Sequence, residues 1–173
     1  MFFELIAAIT AGALGAGVVM ILNSVTGGRL PRWAMPIAAG SAIIAFAIFM
    51  EYTWFSRTTD RFPEGVEVAF THEARGVWRP WTYAYPVIDR FSAIDRASIV
   101  ASDAAPEQRR AELLLFDRWA QPQMVPVVYD CERTRMAPLF DTVKIDDSGV
   151  VVDAEWGPVD PDDAAINIVC KEA

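Results

Sequence analysis

The sequence predicts a membrane protein: a two-helix transmembrane hairpin followed by a small, mostly antiparallel β (α+β) domain. Three observations carry this reading. Two almost uncharged apolar runs open the chain, a short basic loop joins them, and β-branched runs alternate with turn residues in the polar remainder.

From Phe2 to Leu22 there is one formal charge, Glu4, and Trp33 to Met50 carries none. A helix needs about 20 mostly apolar residues to cross a hydrocarbon layer of ~30 Å. Helices are therefore expected over about 2–22 and 33–55, with residues 23–32 (NSVTGGRLPR) as the loop. So short a connection makes the two helices antiparallel neighbours, and residues 1–55 a hairpin unit. Pro36 falls in the first turn of its helix, where a missing N–H costs little. A cleaved signal peptide is the competing interpretation of the first run. Against it, the run lacks a positive n-region, carries Glu4 and has no convincing cleavage site after it.

The remaining residues, 56–173, hold 13 of the 15 basic and 21 of the 23 acidic residues, so the formal charge of −8 belongs to this part. A surface that acidic makes nucleic acid and anionic lipid poor partners. Arg29 and Arg32 in the loop are matched in number by Arg57 and Arg61 beyond the second helix, so the positive-inside rule alone is tied. The acidity of everything after residue 50, and two cysteines suited to an oxidising compartment, tip the expectation. Both termini and the polar domain are placed on the periplasmic side of a bacterial inner membrane. Trp33 would then mark the cytoplasmic interface, and Tyr52, Trp54 and Phe55 the outer aromatic belt.

Small residues recur at four-residue spacing in both helices, as in Ala8, Gly12 and Ala16, Ala11 and Gly15, and Ala34, Ala38 and Ala42. Close backbone approach through small residues is a main source of helix association in lipid. Gly12, Gly15, Ala16, Ala38 and Ala42 are the expected packing residues. The first helix is small almost all round its middle, which leaves room for a second protein surface. Glu4 and Glu51 lie at helix ends and are expected to sit among headgroups.

In the polar domain, 66–71 (VEVAFT) alternates as a short strand does. The stretch 77–87 (VWRPWTYAYPV) is the most aromatic of the chain, and Pro80 and Pro86 deny it a regular helix. Three roles are open to it: a segment lying on the bilayer, a docking site for a partner, or part of a small core. Trp78, Trp81, Tyr83 and Tyr85 are the docking candidates. Residues 111–118 (AELLLFDR) suit a strand or a helix end. Residues 125–130 (VPVVYD) suit a strand, with Pro126 suggesting an edge. Thr142–Ile145, Asp146–Gly149 and Val150–Val152 form a strand–turn–strand signal, 156–163 (WGPVDPDD) a rigid acidic loop, and 164–170 (AAINIVC) a closing element.

The last 45 residues carry a resemblance. Tyr129 to Glu132, the turn at Ser148–Gly149 before Val150 and Val151, Trp156 to Val159 with its acidic proline-containing loop, and Ile168 to Cys170 resemble the C-terminal pattern of the surface-adhesin protein E family. The resemblance covers about a quarter of the chain. It implies a small periplasmic or surface domain with an antiparallel sheet, and a disulfide between Cys131 and Cys170 clamping the terminal element to it. Members of that family are typically exported by a signal or lipoprotein sequence, whereas this chain is expected to keep two helices, so the host-binding role does not carry over. An even count of two cysteines in the domain agrees with the disulfide; two buried thiols on a cytoplasmic domain are the alternative.

Familiar catalytic signatures are missing. His72, beside Glu73, is the single histidine, and the chain has no CxxC, no glycine-rich phosphate loop after a strand and no nucleophile elbow. Acid pairs at 146–147 and 162–163 lack EF-hand spacing. No cofactor, metal or catalytic residue is expected. The expected function is that of a non-catalytic accessory or assembly subunit of a larger inner-membrane complex, for example a respiratory one, with other integral membrane subunits and the lipid bilayer as partners. The alternative is a membrane-tethered periplasmic binding or sensing module acting alone, with a ligand groove beside Trp78, Trp81 and Tyr85.

Overall fold

The computed structural model describes residues 2–102, 104–139, 143–146 and 150–171. The chain divides into two units, Met1–Trp54 and Phe55–Ala173.

The first unit is a pair of apolar helices, α1 (Phe2–Val25) and α2 (Ala34–Tyr52). At ~1.5 Å per residue they are about 36 and 28 Å long, long enough to cross a membrane. Gly12 of α1 lies against Ile43 and Ala39 of α2, and Gly15 against Ala38 and Ala42. Later positions on α1 meet earlier ones on α2, so the helices run antiparallel. The first helix continues past Leu22 to Val25 because its end is closed further along. Thr26 and Gly28 donate backbone N–H bonds to the Leu22 and Asn23 carbonyls. Gly27 and Gly28 take the left-handed φ values (67° and 79°) that such an ending demands. The second helix, expected to 55, stops at Tyr52. Both the N–H and the hydroxyl of Thr53 donate to the Phe49 carbonyl. Such hydroxyl back-bonding favours a break, and a short helix α3 (Trp54–Thr59) follows.

The second unit is built on an antiparallel sheet. Its strands are β1 (Val66–Ala74), β2 (Val87–Asp95), β3 (Val100–Ala101), β4 (Gln108–Asp117), β5 (Gln123–Asp130), β6 (Arg135–Pro138) and β9 (Gly157–Pro158), ordered β1-β2-β4-β5-β6-β9, with β3 pairing β4. The 111–118 stretch is thus strand. Pro126, expected on an edge strand, sits inside β5, flanked by β4 and β6. In an extended strand a residue's N and C=O point to the same side, and the Pro126 carbonyl accepts from Leu139, just past the end of β6. The missing N–H therefore faces Leu139, just beyond the end of β6, so the proline removes one bond at the end of the β5–β6 ladder and none within it. Strands β7 (Lys144–Ile145) and β8 (Val151–Asp153) pair antiparallel in a separate two-stranded sheet, as the hairpin signal predicts. Thr142 and the turn 147–149 lie outside the described residues.

Alternation along the strands sorts the domain into two packed faces. On one face Ala69, Ile94, Ala111, Val127 and Tyr129 are buried beneath the closing element. That element is helical: α4 (Ala164–Ile166) passes into a π-helical turn, Asn167–Lys171, and together they bury Ile166, Ile168 and Val169 against the sheet. Asp163 caps its start by accepting from the Ala165 N–H, and Arg109 of β4 donates to the Val169 carbonyl at 2.7 Å. On the other face Val128, Ala137 and Val151 form a smaller cluster. Phe91 and Phe116, neighbours across β2 and β4, stack at 4.7 Å and are flanked by Phe55 and Phe62.

Candidate functional site

The aromatic stretch forms a braced loop on the second unit. Arg79 donates its N–H to the Gly76 carbonyl, and 80–83 follow as one 3-10 turn opened by Pro80. Thr82 is the knot of the loop. It is buried, its hydroxyl accepts from the Gly76 N–H at 3.0 Å, and it donates to the Arg79 carbonyl at 2.7 Å. The large rings point away from this knot: Trp78 is 87% exposed, Tyr85 73%, Tyr83 57% and Trp81 37%. They are not the aromatic part of the core, which is supplied by the buried rings of Tyr129, under the terminal helix, and Phe91.

Among the expected packing residues of the hairpin, Gly15 is the tightest. A Cβ there would fall 2.7 Å from the Ala38 carbonyl oxygen and 2.8 Å from the Ala42 Cβ, and at Gly12 it would fall 2.8 Å from Ile43 Cδ1. Ala16 is half-buried. Ile43 was not singled out by the small-residue pattern, because it supplies the large surface that a glycine receives. Gly17 and Gly40 face open space. Cys131 and Cys170 are joined by a disulfide that ties the residue after β5 to the terminal helix.

A further feature lies on the sheet. Beyond the area covered by the terminal helix, the same sheet face continues into an open cleft of about 440 Å³. Register explains its lining. Phe70, Ser92, Leu115 and Gln123 form one cross-strand row over β1, β2, β4 and β5; His72, Arg90 and Asp117 form the next. The preceding row, Ile94, Leu113 and Val125, belongs to the core under the terminal helix.

Two irregularities in the β1–β2 ladder shape this region. Val68 pairs Ala93 and Phe70 pairs Ser92, so Ala69 is an extra residue, turned into the core. His72 pairs Arg90 and Glu73 pairs Ile88, so Asp89 is extra on the opposite strand. Bulges re-aim side chains, and the Asp89 carboxylate meets His72 Nδ1 at 2.7 Å. The partner of His72 is thus Asp89, 17 residues away, rather than the adjacent Glu73, which a strand directs to the opposite face. Only a reading that paired 66–74 with 87–95 in register, bulges included, could have found it. Among the described residues no three His, Cys, Asp or Glu side chains are grouped to hold a metal ion. Compared with protein-family models, curated proteins and solved structures, the chain matches none.

Proposed function

We propose that the chain is a non-catalytic accessory subunit of a larger bacterial inner-membrane complex, possessing a retained two-helix anchor and a disulfide-bonded periplasmic domain. The observation that carries this is the braced aromatic loop. Buried hydrogen bonds at Thr82 hold Trp78, Tyr83 and Tyr85 in water. Exposed aromatic anchors on a rigid support are the residues that dominate protein–protein contacts, and grouped apolar exposure of this kind marks an interaction site. Two further features support the reading. Gly17 and Gly40 leave small, uncovered positions on the helix pair, suited to close approach by other membrane helices. The disulfide suits an oxidising compartment, as does the resemblance of residues 129–170 to periplasmic and surface domains. A respiratory complex is the assembly proposed, because such membranes are rich in them.

The test is affinity capture of the tagged full chain from its own membranes in mild detergent, followed by mass spectrometry and native sizing. Recovery in one large complex at fixed stoichiometry is expected, together with loss of that complex but not of the folded chain in Trp78→Ala/Tyr85→Ala. Recovery solely as a monomer or homodimer refutes the proposal.

A further inference from the structure

We propose that the open end of the sheet face, between Phe70, Ser92, Leu115 and Gln123, is a binding site for a small uncharged amphiphile: an apolar ring or short chain bearing a hydroxyl or carbonyl oxygen. This goes beyond the accessory role and does not depend on it.

The first ground is packing. The terminal helix covers one end of the face and leaves the adjoining row open, with Phe70 58% and Leu115 37% exposed. Apolar side chains held in a concavity favour a ligand that removes their surface from water. A cleft of about 440 Å³ falls in the range of small-molecule sites. At roughly 30 Å³ per water-sized group it takes a ligand of about 15 non-hydrogen atoms.

The second ground is charge. Each ionic group at the rim already has an opposite charge or a hydrogen-bond donor within the protein. Arg90 lies 3.9 Å from the Asp89 carboxylate and is the cross-strand neighbour of Asp117. Asp117 in turn accepts from the Trp119 N–H at 2.8 Å, and His72 is held by Asp89. An anionic ligand would have to draw Arg90 away from Asp89, and a cationic one would meet carboxylates already engaged, on top of the cost of bringing an ion into an apolar cleft. The polar groups left to specify a ligand are neutral ones, Ser92, Gln121 and Gln123, which both donate and accept. A hydroxyl or carbonyl oxygen satisfies them.

The experiment uses the full chain in lipid nanodiscs with methyl-labelled leucine, titrated with 2-naphthol and followed by NMR. The expected result is a saturable shift of the Leu115 methyls, with Leu113, under the terminal helix, unmoved. Naphthol dissolved in lipid would move Leu14 of α1 in a non-saturating way, which separates the two events. 2-Naphthoate and 2-naphthylmethylammonium should bind at least about fivefold more weakly, by the cost of burying an unpaired charge. Ser92→Leu should abolish saturation by filling the floor. Should that variant misfold, Gln123→Leu on the exposed rim should still weaken 2-naphthol by several-fold through loss of one hydrogen bond. Absence of a saturable Leu115 shift overturns the proposal, as does a saturable shift that neither variant weakens. Equal or tighter binding of the carboxylate or the ammonium ion overturns the assignment of an uncharged ligand.

Discussion

Replacing Cys131 and Cys170 together by serine should destabilise the second unit by about 4 kcal/mol. The bond closes a loop of sequence separation 39. In the chain-entropy account, releasing such a loop returns about 13 cal/mol/K to the unfolded chain, or ~4 kcal/mol at 25 °C. The unfolding entropy of a domain of about 119 residues (Phe55–Ala173) is roughly 250 cal/mol/K near 60 °C. The expected fall in Tm is therefore about 16 °C. The terminal helix should nevertheless stay docked at 25 °C. Ile166, Ile168 and Val169 remain buried on the sheet, and Arg109 still donates to the Val169 carbonyl. The assay is thermal unfolding of the full chain in detergent, followed by near-ultraviolet circular dichroism, with hydrogen exchange of residues 164–171 in parallel. A fall of less than about 3 °C, near 0.8 kcal/mol by the same entropy, would show that the unfolded chain is already constrained between these residues, and the loop argument would fail. Rapid exchange of 164–171 at 25 °C would show that the bond, rather than apolar burial, docks the helix.

Tyr129 gives a pH signature. Burial, and after it the negative charge of Asp163, push its phenol up to about 12 from an ordinary value near 10. The folded state therefore holds this proton more tightly than the unfolded chain does. Its contribution is fully present below pH 10 and is lost as pH rises from 10 to 12, about 3 kcal/mol in all. Urea unfolding of Tyr129→Phe should lack that part of the alkaline slope; an unchanged slope would assign it to other groups. In the helix pair, Gly15→Ala should weaken association, because its Cβ would strike the Ala38 carbonyl, whereas Gly17→Ala should be neutral or gain up to about 1 kcal/mol of helix propensity. Cysteine cross-linking between α1 and α2 distinguishes the two, and equal behaviour would refute the packing assignment.

The local and compositional features were legible in the sequence. Two almost uncharged apolar runs make two long helices whatever follows them. Small residues at four-residue spacing bring Gly15 against Ala38 and Ala42. Proline at 80 and 86 keeps the aromatic stretch out of a regular helix, and β-branched runs around a polar turn pair as β7 and β8. These are near-neighbour effects, written within a few residues of where they act. The remaining features depend on partners distant in the chain. Pro126 entered an interior strand because β6 happens to stop beside it. The aromatic rings stayed outside because side chains from elsewhere in the domain, Tyr129 and Phe91 among them, fill the interior. His72 found Asp89 through a bulge that a single extra residue creates. The cleft exists because the terminal helix covers the Ile94, Leu113 and Val125 row and stops short of Ser92 and Leu115. Register and coverage of this kind are set by the competition of whole surfaces for burial, and no short stretch of sequence records the outcome.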